Sequence, residues 1–334
     1  MGAADPLVIG VLVPTLAGEP PPPTSTPLGR AAATLREEGV ALLFGHTWAE
    51  DGALQGVFAQ GDRWVPAQAR PAALYDRAPM LGQAAAYAAA IRGAAGLRIG
   101  NPPALRALCQ DKLACQQALD AAGVGGLPPV EDEPAAFSAR LEEWGAAFLK
   151  PRFGSRGVGV RRVARGEPDP LPATLPGLRP GQDDPALLQF AVPPPAGDAG
   201  WSVRVLCQRA PTGRWITTPA VLRRSAVDPV VNAARGAVLE PAADRLSDPD
   251  HRFALGLALT ACEVLGADPA ALELGVDLVI DRDGQAWIVE VNGRPDGRLT
   301  GLAAADPDRF GAAAAEAAAR PLRRLAALCR AAHT

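Results

Sequence analysis

Two short segments place oxygen donors at strand spacing. ELGVDLVI, residues 273–280, carries Asp277, and AWIVEVN, residues 286–292, carries Glu290 and Asn292. Both segments are otherwise apolar, a setting in which an unpaired carboxylate is costly. The RDG between them is a compact turn signal. Folding back at that turn brings Asp277 and Glu290, thirteen residues apart, onto one face. Asn292 shares the face of Glu290 by the period-two rule. Two carboxylates and an amide oxygen are hard donors that suit Mg²⁺, an ion that usually keeps waters and phosphate oxygens as its other ligands. The competing reading is an acidic edge strand.

A second constellation is FGSRGVG, residues 153–159. Gly154, Gly157 and Gly159 free the backbone to approach an anion, and loop N–H groups can point at phosphate. There is no GKS or GKT, and the segment that follows reads as a strand. It is therefore neither a P-loop nor a dinucleotide fingerprint. Just before it stands Lys150. Of 33 Lys plus Arg, only Lys112 and Lys150 are lysine. A lysine is a compact point charge that can neutralise a phosphate without a planar fork. Alanine runs such as AAAYAAAIRGAA suggest a coding bias that would turn surface lysines into arginines. Chance survival at an exposed position competes as an explanation, but Lys150 follows the apolar AAFL, which disfavours it. The three asparagines are Asn101, Asn232 and Asn292.

These groups need elements to hold them. PLVIGVLVP reads as a buried strand, PPPPTSTP as a loop, LGRAAATLREEG as a helix ended by Gly39, and VALLFG as the next strand. That order predicts a small parallel α/β domain. ALYDR, residues 73–77, reads as a strand end, and residues 84–95 as a helix. Asn101 as N-cap and the prolines after it predict one helix over 102–122, with Lys112 in its middle. GAAFLKP and VGVRRV form a hairpin around the Gly-rich turn. Residues 165–185 read as a loop and ALLQFAV as a buried strand. WSVRVLCQ and RWITTPAVLRR form an antiparallel pair. Helices follow over 248–266 and 308–331.

Length and composition bound the rest. A chain of 334 residues exceeds a single core and predicts two or three domains. With a net charge of −3 and both signs interspersed, no basic block points to nucleic acid or an anionic membrane surface. No apolar run reaches transmembrane length, and the N-terminus lacks the cationic start of a signal peptide. Five cysteines, odd in number and without CxxC, argue against a disulfide framework or zinc site and fit a reducing cytoplasm.

Taken together, the segments carrying Lys112, Lys150, Gln189 (LLQFAV), Arg204 (WSVRVLC) and Asp277, Glu290 and Asn292 resemble the ATP-grasp superfamily in order and approximate spacing across residues 100–300. The resemblance is closest to YheC/YheD-type proteins, associated with spore coats, and next to ligases of the ribosomal-protein S6 glutamate type. It implies mixed α/β and α+β architecture: an N-terminal α/β domain over 1–100, a lobe with the Gly-rich loop over 101–190, and a lobe with the metal site and last helix over 191–334. ATP would lie between the two lobes. The resemblance also implies roles. Lys112 and Lys150 would contact phosphates, under a loop that includes Gly154, Ser155, Arg156 and Gly157. Gln189 would face the adenine. Asp277, Glu290 and Asn292 would hold Mg²⁺. Arg204, Arg224 and Asn232 would sit near the γ-phosphate and the acceptor carboxylate. The pattern departs from the family at Ser202, where Asp is frequent, and at Val230, where ligases of the S6 type often have Arg.

The activity this implies is ATP-dependent ligation of a carboxylate to an amine through an acyl phosphate, on small-molecule or peptide substrates. Positioning and charge neutralisation suffice for that chemistry, without a Ser, Cys or His nucleophile. Two alternatives stand beside it: a nucleotide-binding structural or regulatory protein without ligase activity, and a kinase that stops at a phosphorylated product. Ligases of the superfamily are often dimers, so the resemblance raises the expectation of a homodimer.

Overall fold

The computed structural model describes residues 5–13, 23–77, 84–155, 157–166, 170–177, 181–195, 199–231, 236–295 and 299–332. Two of the candidates above, Arg156 and Asn232, lie outside the described residues.

Apolar runs of strand length, separated by helices, build a first sheet. Its elements are β1 (Leu7–Leu12), α1 (Pro27–Glu37), β2 (Val40–Trp48), β3 (Leu54–Gln60), β4 (Arg63–Ala69), β5 (Ala73–Asp76), α2 (Ala84–Gly93) and β6 (Arg98–Gly100), with strand order β4-β3-β2-β1-β5-β6. Strands β2, β1, β5 and β6 are parallel neighbours, as the β–α–β order requires. The hairpin β3–β4 adds two antiparallel strands at one edge. Most of its residues are half-buried or exposed, so no apolar run marks it in the sequence. From β1 the chain goes to β2 on one side and later returns as β5 on the other. The sheet therefore has its topological switch point between β1 and β5, where α/β sheets receive ligands at the carboxyl ends of strands.

The single helix expected over 102–122 is two, α3 (Pro103–Gln110) and α4 (Lys112–Ala121). Asp111 leaves the helical conformation (φ −85°, ψ 98°), and its Oδ1 accepts from the Ala114 N–H at 3.1 Å. A capped start thus replaces continuous helix, and Lys112 opens α4 instead of lying mid-helix. Asn101 is not the cap of α3 either. That position is Pro102, without a side-chain bond. The buried Asn101 amide instead clamps backbone from elsewhere, accepting from the Leu272 and Glu273 N–H groups and donating to Glu273 and Gly293 oxygens.

A second sheet follows: β7 (Val130–Glu131), α5 (Phe137–Trp144), β8 (Ala146–Pro151), β9 (Arg161–Ala164), β10 (Thr174–Pro176) and β11 (Asp183–Phe190). It runs antiparallel in the order β10-β11-β8-β9, with β7 also on β11. The short edge strand β10 falls where the sequence reads as loop. Phe137 and Leu141 of α5 close its core over Leu149 and Leu188.

The third sheet takes β12 (Gly200–Arg209), β13 (Trp215–Thr217), β14 (Val221–Ser225), β15 (Val238–Pro241), β16 (Glu273–Ile280) and β17 (Ala286–Asn292), in the order β15-β14-β12-β16-β17 with β13 on β12. Its core joins Val203, Val205, Leu274 and Val276 to Ala254, Ala258 and Ala261 of α6 (Asp248–Leu265). Leu105, Cys109 and Leu119 of α3 and α4 pack into the same core. The last helices are α7 (Leu299–Ala305) and α8 (Pro307–Ala331). Phe310 and Ala314 of α8 pack with Val221 of the third sheet, whereas Leu322, Leu325 and Ala326 enter the core of the first. Among the described residues no helix is long and apolar enough to cross a membrane.

Candidate functional site

Pairing of β16 with β17 sets Asp277 opposite Glu290 and Gly275 opposite Asn292. The three donors share one face, as their spacing requires. A bulge after Asp277 leaves Val289 unpaired in the ladder, and bulges re-aim backbone groups beside functional sites. Here the Val289 carbonyl accepts from the Lys150 ammonium at 3.4 Å.

Lys150 is the penultimate residue of β8 and is buried. Its Nζ donates to Gln189 Oε1 at 2.7 Å. Gln189 lies on β11, diagonally across the pair from Lys150, and so on the same face. Among the described residues no carboxylate bonds directly to this ammonium. Burial, and then repulsion from Lys112, lower its pKa to about 7 against the partial support of Glu290. Such a site favours the arrival of an anion. Lys112 opens α4 against the end of β8, where its backbone N–H donates to the Arg152 carbonyl at 3.2 Å. Arg152 grips the capping Asp111 with two bonds, at 2.8 and 2.7 Å. Lys112 Nζ donates to the Gly154 carbonyl and stands 3.8 Å from Glu290 Oε1. One lysine therefore touches both the Gly-rich loop and the proposed metal face. In that loop Gly157 has φ +71°, a conformation that favours glycine.

Asp277 is the most heavily engaged group. Arg204 Nε and Nη2 donate to its two oxygens at 2.5 and 2.6 Å, Arg223 Nη2 donates to Oδ1 at 2.5 Å, and Asn292 Nδ2 to Oδ2 at 3.4 Å. Burial alone would raise the Asp277 carboxyl, but the two guanidiniums outweigh it and hold the pKa below its ordinary value. Ser202, the departure from the family pattern, accepts from Arg223 Nε at 3.0 Å. As a donor set for a hard cation, Glu290 and the Asn292 amide oxygen fit, being half-buried and on the cleft wall. Asp277 fits less well, since its acceptor positions already hold two arginines and an amide.

These residues wall one cleft of about 750 Å³ between the second and third sheets, a size within the usual range for small-ligand sites. Lys112, Lys150, Gly154, Ser155, Gly157, Gln189, Arg204, Asp277, Glu290 and Asn292 all line it. Arg224 does not: it points to Glu240 at 3.3 Å. The cleft arginine of β14 is its neighbour Arg223, which pairs with Ser202, two residues before Arg204 on β12 and hence on the same face. The sequence reads RR at 223–224, and only the register decides between them. Arg77, Arg106 and Arg294 also line the cleft. Arg106 was missed because it sits in an ordinary helical stretch whose counter-ion, Asp76, comes from the end of β5 in the first sheet.

The family described as YheC/D like ATP-grasp matches residues 196–309. No curated protein matches the chain by sequence. Among solved structures the chain is similar to D-cycloserine synthetase DcsG, with a TM-score of 0.61 and 19% identity over 97% of this chain and 99% of that one. It is similar also to the VanG D-Ala:D-Ser ligase from Enterococcus faecalis, with a TM-score of 0.58 and 12% identity over 96% and 99%. A third likeness is to the ATP-grasp ligase PsnB complexed with minimal precursor, with a TM-score of 0.56 and 18% identity over 96% and 100%. At these identities the likeness to solved structures establishes the fold. The chain thus has the fold of these solved structures, an ATP-grasp ligase among them, and over residues 196–309 it is similar to the YheC/D like ATP-grasp family.

Proposed function

We propose that the protein is an ATP-dependent carboxylate–amine ligase, with lobes 101–190 and 191–334 holding ATP between them beside an N-terminal domain of residues 1–100. The observation that carries this reading is convergence. Lys112 and Lys150 reach the same cleft as Glu290, Asn292 and Arg204, from different elements. The lysines would neutralise the triphosphate, the 154–159 loop would cover it, and Gln189 would face the adenine. Glu290 and Asn292 would hold Mg²⁺, joined by Asp277 where its arginines turn to other anions. A bound Mg²⁺ supplies charge neutralisation on phosphate oxygens.

A carboxylate oxygen of the acceptor attacks the γ-phosphorus, and the bond to the β-phosphate oxygen breaks, releasing ADP. The amine then attacks the carbonyl carbon of the acyl phosphate, phosphate departs, and the amine proton is lost to it or to water. The chain's share is to align the reactants and to neutralise charge with Lys150, Lys112 and Arg204. The substrates on this reading are a small-molecule or peptide carboxylate and an amine, and the setting is cytoplasmic. The dimer carried by the family resemblance belongs to the same proposal.

One observation favours the alternative of a nucleotide-binding protein without ligase activity. Asp277 is engaged by Arg204 and Arg223, and Ser202 stands at the position where the family often has Asp. Calorimetry with Mg-ATP tests the shared part, and ADP release with panels of carboxylates and amines separates the two. The ligase reading expects binding that Lys150→Ala and Glu290→Gln weaken, and carboxylate-dependent ADP release. A folded wild type that binds no nucleotide would overturn both readings.

A further inference from the structure

Beside the cleft, three hydrogen bonds run in a line from one backbone carbonyl to the Lys150 ammonium. Gln116 Nε2 donates to the Pro128 carbonyl at 2.7 Å, Gln189 Nε2 donates to Gln116 Oε1 at 3.4 Å, and Lys150 Nζ donates to Gln189 Oε1 at 2.7 Å. Three elements supply the side chains. Lys150 and Gln189 stand on the paired strands β8 and β11. Gln116 lies on α4, one turn after Lys112 and so on the same helix face. Lys150 and Gln189 are buried and line the cleft. Gln116 instead lines a smaller cavity of about 20 Å³ next to it, shared with Lys112, Lys150, Gln189 and Glu290.

The two ends fix the direction of the line. An ammonium only donates and a carbonyl only accepts. All three bonds form only when Gln116 turns its oxygen to Gln189 and Gln189 turns its oxygen to Lys150. With either amide reversed, at least one contact sets N–H against N–H or oxygen against oxygen. A void removes packing contacts from the side chains that line it. Hydrogen bonds rather than close packing therefore choose the orientation of the Gln189 amide, and the bond from Gln116 to the backbone anchors that choice.

We propose that Gln116 is a positioning residue of the nucleotide site, which fixes the Gln189 amide with its oxygen toward the Lys150 ammonium. The inference rests on the reading of the cleft as a nucleotide site, and adds to it a residue that acts only through another. Without this anchor, Gln189 is free to turn its N–H groups toward Lys150. The ammonium then loses its acceptor and its fixed place beside the phosphates.

The test measures Gln116→Met and Gln116→Ala in three backgrounds, by calorimetry on the full chain with Mg²⁺ and a non-hydrolysable ATP analogue. Alanine keeps the helix and methionine keeps the length of the side chain. With Gln189 intact, both substitutions are expected to weaken binding about fivefold or more, the equivalent of one hydrogen bond. In Gln189→Glu the carboxylate presents an oxygen to Lys150 whichever way it turns. There the same substitutions are expected to change affinity by less than about twofold. Gln189→Met has no amide to orient and is expected to show the same indifference. A merely structural role for Gln116 predicts equal losses in every background. Equal losses, or no loss with Gln189 intact, would overturn the positioning role and leave the nucleotide reading standing. A folded wild type that binds no analogue would overturn the nucleotide reading, and this inference with it.

Discussion

Lys150 carries the sharpest residue-scale consequence. Its pKa falls to about 7 from an ordinary 10.5, chiefly through burial. Between those values the unfolded chain binds more protons than the folded one, so this group makes stability rise with pH across that window. Lys150→Met is expected to flatten the rise, and to raise the urea midpoint below pH 7, where the buried charge is fully present in the wild type. A phosphate beside Nζ favours the charged form, so nucleotide binding near pH 8 is expected to take up a proton. Calorimetry in buffers of different ionisation enthalpy reads that uptake, and Lys150→Met should abolish it. Asp277 makes the opposite contrast. Asp277→Asn leaves Arg204 and Arg223 buried without their counter-charge and is expected to cost about 3–5 kcal/mol in urea unfolding. Glu290→Gln, at a side chain 31% exposed, is expected to change stability little while weakening Mg-ATP binding. Both residues were legible in the sequence because carboxylates inside apolar strands demand a reason. Their difference was not, since the guanidiniums on Asp277 come from β12 and β14, more than fifty residues upstream.

At the scale of elements, the break at Asp111 decides where Lys112 points. The carboxylate caps α4 and holds Arg152, so it ties the helix start to the end of β8. Asp111→Ala removes a cap and a partly exposed ion pair and is expected to cost about 1–2 kcal/mol. A fall in nucleotide affinity beyond that produced by Arg152→Ala alone would show that the cap positions Lys112, and equal affinities would show that the ion pair suffices. The sequence NPPALRALCQDKLACQQALD suits continuous helix at nearly every position, and Asp111 departs only because tertiary partners reward it. The β16–β17 hairpin was legible for the converse reason: turn signal, alternation and polar placement all agree locally. The hairpin β3–β4 was not, because neither of its faces is fully buried. The sequence points to Arg224, whereas the arginine on the cleft is Arg223, and a one-residue slip exchanges the faces of a strand.

For the whole molecule, α8 is the element that packs into the cores of both the first and the third sheets. Its first half packs with Val221, Leu299 and Leu302, and its second half places Leu322, Leu325, Ala326 and Cys329 against Ile9, Val11 and Leu42. Ion pairing repeats the bond at the surface, where Arg323 holds Glu38 at 2.7 Å. Between the two ends, Arg320 reaches Gln208 at 3.0 Å, and Gln208 reaches Glu273, the partner of Arg77 on the cleft wall. The last helix therefore supports the cleft from behind, through a buried network that links it to the N-terminal sheet. Leu325→Ala and Phe310→Ala probe its two ends separately. Each deletes a buried side chain and is expected to cost about 2–5 kcal/mol. Hydrogen exchange should locate the loss: in β1 and β2 for Leu325→Ala, and in β14 and α7 for Phe310→Ala. Faster exchange throughout both sheets in either variant would mean that they unfold as a single cooperative unit, with α8 as its shared core rather than a strap between two.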